Sequence, residues 1–277
     1  MTKKQIFYYL IIGALVLAIF LIFQVFSASR LKVVFFDIGQ GDSIFVQTPS
    51  QKQILIDGGP NSLVLEKIGR QMGYWDRTLD LVILTHPDQD HLAGLISVLD
   101  FYRVKLILTS GFKQDSLLFK KWQKKIKDIE VKKAQAGQLI DFGDGVKLEV
   151  LWPNLDCIKK DKKANNCSVV GRLLFNEASL LLTGDIEKKI ELKLIEKNIQ
   201  AQVLKIAHHG SKSSSEESFL EAVQPQITVI SVGQNQFGHP HQEILDRLKS
   251  KSLILLRTDF LGDIKLIGQK SGFLVDQ

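Results

Sequence analysis

The stretch "LVILTHPDQDHLAGL", Leu81 to Leu95, restricts the possible folds more than any other part of the chain. A run of branched aliphatics is followed at once by two histidines and two aspartates, and then by apolar residues at helical spacing. The first run reads as a strand buried on both faces and the last as a helix covering it. Polar side chains at the carboxyl edge of such a strand project into the crevice where α/β proteins hold their ligands. A helix cap would need one acid, such as Asp90 before "HLAGLISVL", and would leave the histidines without a role. His86, Asp88, Asp90 and His91 therefore make a candidate metal site. Three of them approach from one direction of a loop and His91 from another, so one short segment can serve two ions.

The same arrangement recurs further along. "LLLTGD" ends an apolar strand at Asp185, and "VLKIAHHGS" ends another at His208 and His209. Either is ordinary alone, since "TGD" is a common strand-to-helix turn and paired histidines often lie on surfaces. Three strand ends carrying metal-ligand side chains point to one shared edge. Between them, "LKVVFFDIG", "SIFVQT" and "QILID" read as a strand meander, and "SLVLEKIGRQMG" as a helix. "VKLILTS" follows as a strand, "SVVGRLLF" with "ASLLLTG" as a hairpin, and "IEKKIELKLIEKN" as a helix. "QITVISVG" and "SLILLRT" close the series as strands. Both halves read as mixed sheet covered by helices, an α/β (α+β) chain. With 45% hydrophobic and 24% charged residues over 277 positions, disorder is excluded, and no solenoid repeat or Gly/Ser linker divides the chain.

The amino terminus stands apart. From Ile6 to Phe26 there is no charged residue, and Lys3 and Lys4 precede the run. At about 1.5 Å per residue it is long enough for a bilayer core of roughly 30 Å. Residues 1–30 are thus expected to form cytoplasmic lysines plus a single transmembrane anchor, and residues 31–277 the functional domain. By the positive-inside tendency that domain lies outside the cytoplasm, on the cell membrane. A cleaved signal peptide ending near "VFSAS" and a buried core helix are the alternatives. Cys157 and Cys167 flank a lysine-rich loop and either pair or stay free; no Cys/His spacing makes them zinc ligands.

"THPDQDH" resembles the HxHxDH signature of the metallo-β-lactamase superfamily in its HxDxDH variant. "FFDIGQGDSIFVQT", "ILIDGG", "LTGD", "HHGS", "GHP" and "LLRTDFLGDI" resemble successive motifs of the subfamily found in ComEC, the DNA-uptake competence protein. The resemblance covers about Leu31 to Ile267. It implies a four-layer αββα sandwich with a metal site at the common edge of two sheets, and metal-dependent hydrolysis. The multi-helix channel that ComEC carries alongside this domain has no counterpart here, which leaves DNA transport in doubt.

Carried onto this sequence, the resemblance implies two divalent ions, Zn²⁺ or Mn²⁺. His86 and Asp88 would hold the first, Asp90 and His91 the second, with Asp185 bridging and one of His208 and His209 completing the second. The superfamily's further histidine for the first ion is missing, because the corresponding stretch reads "NNCS", Asn165 to Ser168. An oxygen-rich first site would tolerate harder ions than zinc. Asp90 would also hold the attacking water, and His239 in "FGHPH" would donate a proton to the leaving group or contact a phosphate. Asp37 and Asp57 are expected to brace the site from behind its ligands. Asn166, Ser168, Ser211 and Lys212 are candidate substrate contacts.

The substrate is less constrained. A net charge of +6 and a pI near 9.1 favour polyanions, although the lysines of "FKKWQKKIKDIEVKK" also fit a solvated helix face or anionic lipid. A membrane-anchored phosphodiesterase or nuclease acting on DNA is expected first. A hydrolase of a small choline- or lipid-linked ester or phosphoester, and a non-catalytic metal-binding module, are the alternatives. No protein partner is indicated.

Overall fold

A computed structural model describes residues 2–27, 30–154 and 156–276, and of residues 19–27 the backbone alone. Two sheets face each other. The first has eight strands in the order Gly272–Asp276, Ile264–Gln269, Leu31–Phe35, Ile44–Gln47, Gln53–Ile56, Leu81–Leu84, Leu106–Thr109, Glu130–Lys133. The second has seven, in the order Ile254–Arg257, Ile227–Ile230, Val203–Lys205, Ala178–Leu182, Val170–Phe175, Val146–Trp152, Leu139–Asp141. Strand alternation builds the layers. Val33, Phe35, Leu180, Leu182 and Val203 point into the core shared by the two sheets. Their neighbours point outward. Val34, Phe36 and Val82 meet Val64, Leu92, Leu95 and Trp122 of the helices over the first sheet. Leu181, Leu204 and Ile230 meet Ile190, Leu194, Phe219 and Leu248 over the second. The result is the expected four-layer αββα sandwich.

The strand Leu81–Leu84 is fully buried and runs parallel to both neighbours, so its carboxyl end opens at one rim of the sandwich. Ala178–Leu182, Val203–Lys205 and Ile227–Ile230 are likewise parallel and end at their own rim. Val169 N–H donates to Thr85 C=O at 3.0 Å, which joins the two rims. Five strands of the two sheets went unread in the sequence: Glu130–Lys133, Leu139–Asp141, Val146–Trp152, Ile264–Gln269 and Gly272–Asp276. Cys157 and Cys167 form a disulfide.

The amino-terminal helix runs Lys3–Ser27, and its large apolar side chains from Ile6 to Leu17 are exposed. Among the described residues no helix is long and apolar enough to cross a membrane. The anchor expected over Ile6 to Phe26 rests in part on side chains outside the described residues, and so does the "VFSAS" cleavage alternative.

Candidate metal centre

The loop after Leu84 carries His86 and Asp88, and the helix Gln89–Phe101 begins directly behind them. Asp88 stands at the N-cap position, yet its side chain makes no capping bond, and Asp90 lies in the first turn. Neither acid is spent on the helix end. The helix is held close by glycines: a Cβ on Gly41 would sit 2.2 Å from the Asp90 carbonyl oxygen, and one on Gly94 would sit 1.8 Å from that of Gly58. Gly58 N–H donates to His91 C=O at 2.8 Å, and Gly94 N–H to Gly59 C=O at 2.9 Å. Backbone contact at this range is what sets the depth of His91.

Four imidazoles from two segments converge on one carboxylate oxygen, Asp185 Oδ2. His91 Nε2 and His209 Nε2 each lie 3.3 Å from it, and His86 Nε2 and His208 Nε2 each 4.0 Å. Asp88 Oδ2 is 3.6 Å from His86 Nε2, and Asp90 Oδ2 is 3.4 Å from His209 Nε2. His86, His91, Asp185 and His209 are all buried.

The opposite nitrogen of each buried ring is already occupied. His91 Nδ1 donates to Asp57 Oδ2 at 2.8 Å, and His209 Nδ1 to Ser231 C=O at 2.8 Å. His86 Nδ1 bonds Thr85 Oγ1 at 3.0 Å, and Thr85 in turn donates to Asp57 Oδ2 at 2.6 Å. The Nε2 atoms of His86, His91 and His209, with Asp185 Oδ1, have no hydrogen-bond partner although they are buried. Buried polar atoms are rarely left this way. Three imidazoles fixed by Nδ1 contacts, with bare Nε2 atoms turned toward shared carboxylates, are the donor set of a divalent-metal site.

Charge follows from the same geometry. Burial opposes ionisation of His209, but Asp185, Asp90 and Asp42 outweigh it and lift the ring to about 10. His91 is raised likewise, with Asp185 and Asp57 overriding burial. Burial and the neighbouring His91 hold His86 far below its usual value. Asp185 stays ionised, because His209 and His91 overcome its burial. Metal-free, the cluster therefore keeps protons that a cation must displace on binding.

Two residues unread in the sequence complete the surroundings. Asp42 and Lys205, each 1% exposed, form an ion pair at 2.7 Å. The three N–H groups of the Lys205 ammonium have three acceptors: Asp42 Oδ2, Gly184 C=O and Ile206 C=O, the latter two at 3.3 Å. Gly184 precedes Asp185, and Ile206 leads into the histidine pair. A lysine inside the apolar run "VLKIA" was the available signal, since a buried lysine needs an anion.

The remaining expected residues divide. Asp57 braces His91 and the Thr85–His86 pair as anticipated. Asp37 does not: its amide donates to Asp263, its carboxylate accepts only from Gly39 among the described residues, and Asp42 sits behind His209 instead, 3.5 Å from Nδ1. Asn166 is corrected too, because its amide reaches Asp161 and Glu187, whereas Asn165 faces His208 Nε2 at 3.4 Å. Ser168 lies under the bridging loop and accepts from Asp185 N–H at 3.3 Å. Ser211 is buried and bonded to Ser213, while Lys212 is exposed. His239 is half-buried, its ring 5.5 Å from that of His208. Burial first, then His208 and His209, hold its imidazole down to about 4, so the ring is neutral at neutral pH.

His208 and His209 both have left-handed backbone, at φ 52° and 54°. Non-glycine residues rarely adopt it, and two in succession turn both rings toward Asp185.

The Metallo-beta-lactamase superfamily pattern matches residues 36–152, which include the whole HxDxDH segment. The chain carries a metallo-β-lactamase domain. It is 35% identical over 86% of its length to ComE operon protein 3 of Bacillus subtilis, and 33% identical over 84% to competence protein ComA of Neisseria gonorrhoeae. It spans about a third of the length of these relatives, 33% and 32%. Among solved structures, the metallo-beta-lactamase fold protein YhfI from Bacillus subtilis superposes with a TM-score of 0.55 at 16% identity, covering 82% of this chain and 97% of that one. The likeness is one of fold. The domain thus falls in a superfamily of metal-dependent hydrolases and is similar to part of several competence proteins.

Proposed function

We propose that the chain is a two-metal phosphodiesterase acting on DNA, with its hydrolytic domain held outside the membrane by the amino-terminal helix. The observation that carries this reading is the convergence of bare Nε2 atoms from His86, His91 and His209 on the Asp185 carboxylate. In this reading Asp90, His91 and His209 hold the second ion, His86 and Asp88 the first, and Asp185 both. His208 approaches from the side of Asn165 with its Nε2 4.0 Å from Asp185 Oδ2, which favours it as the nitrogen the first site otherwise lacks. Zn²⁺ or Mn²⁺ bound there would polarise a phosphoryl oxygen and acidify water. The chain's own contributions are distinct. Asp57, Ser231 and Thr85 fix the imidazoles in the ligating tautomer. The sandwich walls exclude water from His86, His91 and His209. The neutral His239 ring at the mouth would offer an N–H to the leaving oxygen rather than act as an imidazolium.

Similarity to relatives named for competence supports a DNA phosphodiester. The exposed apolar side chains of the Lys3–Ser27 helix, the lysines before them and the disulfide support a membrane-held domain in an oxidising compartment. Purified protein loaded with Mn²⁺ or Zn²⁺ should cut single- or double-stranded DNA and lose that activity on chelation or in Asp90→Ala. Hydrolysis of small phosphoesters with no action on DNA would shift the assignment to a lipid- or choline-type substrate. Metal binding without any hydrolysis would leave a binding module.

A further inference from the structure

The loop after the strand Ile227–Ile230 brings an apolar ring to the mouth of the metal centre. Phe237 is 67% exposed, and its ring lies 5.6 Å from that of His239 at an interplanar angle of 30°. From there the rings continue inward. His239 is 5.5 Å from His208, and His208 is 6.2 Å from His209. The rings, stacked at Phe237 and His239 and edge-to-face beyond, therefore lead from solvent to the ligands around Asp185.

The loop that presents Phe237 is stapled. The Asn235 amide nitrogen donates to Gly233 C=O and His239 C=O, both at 2.8 Å, and its Oδ1 accepts from Phe237 N–H and His239 N–H, both at 3.0 Å. His241 N–H donates to Gly210 C=O at 3.0 Å, fastening the loop to the turn that carries the histidine pair. The backbone is fixed on both sides of an aromatic ring that packs on little besides His239. A collapsed loop would bury such a ring. Held open beside a metal site, it offers one flat apolar face to whatever enters, with the exposed Lys212 on the adjoining turn.

We propose that Phe237, backed by His239, is a base-stacking subsite that takes an unpaired nucleobase next to the phosphodiester at the metal centre. The proposal rests on the phosphodiesterase reading and narrows its substrate to single-stranded nucleic acid, because a base in a duplex has no free face to give. Every base has a π-face, so the subsite prefers strands over duplex and base over no base, without reading sequence.

The test measures fluorescence anisotropy of metal-loaded protein with a hydrolysis-resistant phosphorothioate oligothymidylate, beside an abasic strand of the same linkage, the matching duplex, and anionic vesicles. Wild-type protein should favour the thymidylate over the abasic strand by about 5- to 100-fold. Phe237→Ala should abolish that preference and Phe237→Trp keep it. Phe237 is exposed, so neither substitution disturbs the core. Equal preference in wild type and Phe237→Ala overturns the subsite while leaving the phosphodiesterase reading intact. Absence of any binding to nucleic acid, with small phosphoesters still hydrolysed, overturns both. Loss of vesicle binding alone in Phe237→Ala overturns the subsite in favour of a membrane contact.

Discussion

Lys205→Met removes the ammonium that pairs with Asp42 at 2.7 Å and leaves only the His209 and His91 rings, 3.5 and 3.9 Å away, facing that carboxylate among the described residues. The pair is 1% exposed on both sides, so the Asp42 carboxylate would be left charged and buried without its nearest counter-ion. Breaking a buried pair in this way costs about 3–5 kcal/mol. The carbonyls of Gly184 and Ile206 lose a donor as well, within the same total. For a domain of this size about 4 kcal/mol corresponds to a fall in Tm of roughly 10 °C. Adding Asp42→Asn removes the stranded charge, and the double variant should recover about 2–3 kcal/mol of the loss. The assay is thermal unfolding of chelator-treated protein for wild type, both single variants and the double variant, so that bound metal contributes nothing. Additive losses, with the double variant the least stable of the four, would refute the ion pair as the source of the effect.

Three further outcomes are expected. His209→Ala should lose the ion beside Asp90, whereas His208→Ala should weaken the other; Co²⁺ absorption spectra and metal counts distinguish them, and identical losses would contradict separate sides. Glu191, buried and accepting from Ser215 N–H and Glu216 N–H, is pushed up by burial from 4.5 to about 7. Its folded form holds the proton more tightly, so its contribution is full below 4.5 and lost as pH rises through about 7, a swing of about 3 kcal/mol. The stability difference between wild type and Glu191→Gln should follow that window, and a flat difference would contradict it. Finally, with His208 as a nitrogen ligand of the first ion, zinc titration after chelation should show two sites of similar affinity, while a weak first site activated by Mn²⁺ would contradict that role for His208.

Much of this was legible in the chain. An apolar strand followed at once by ligand side chains occurs at Thr85, Thr183 and Lys205, and parallel strands necessarily bring such ends to one rim. Asp57 could be anticipated because it follows a strand in the same way. Other features depend on distances that sequence order does not carry. Asp42 meets Lys205 across the two sheets, from a position far away in the chain. The separate positions of His208 and His209 come from two left-handed residues with no glycine to announce them. Asn165 and Asn166 differ by one step of a short 3-10 turn, which sends one amide to His208 and the other to Asp161 and Glu187. Asp37 resembled Asp57 in its setting, but its loop turns toward Asp263.

The central claim is that one carboxylate, Asp185, joins two cation sites built from three strand ends. Elemental analysis of reconstituted wild type beside Asp185→Ala tests it most directly. About two divalent ions per chain are expected in wild type, with both sites weakened together by the substitution because the bridging oxygen is shared. No metal in wild type, or one tight ion unchanged in Asp185→Ala, would contradict the shared-carboxylate centre.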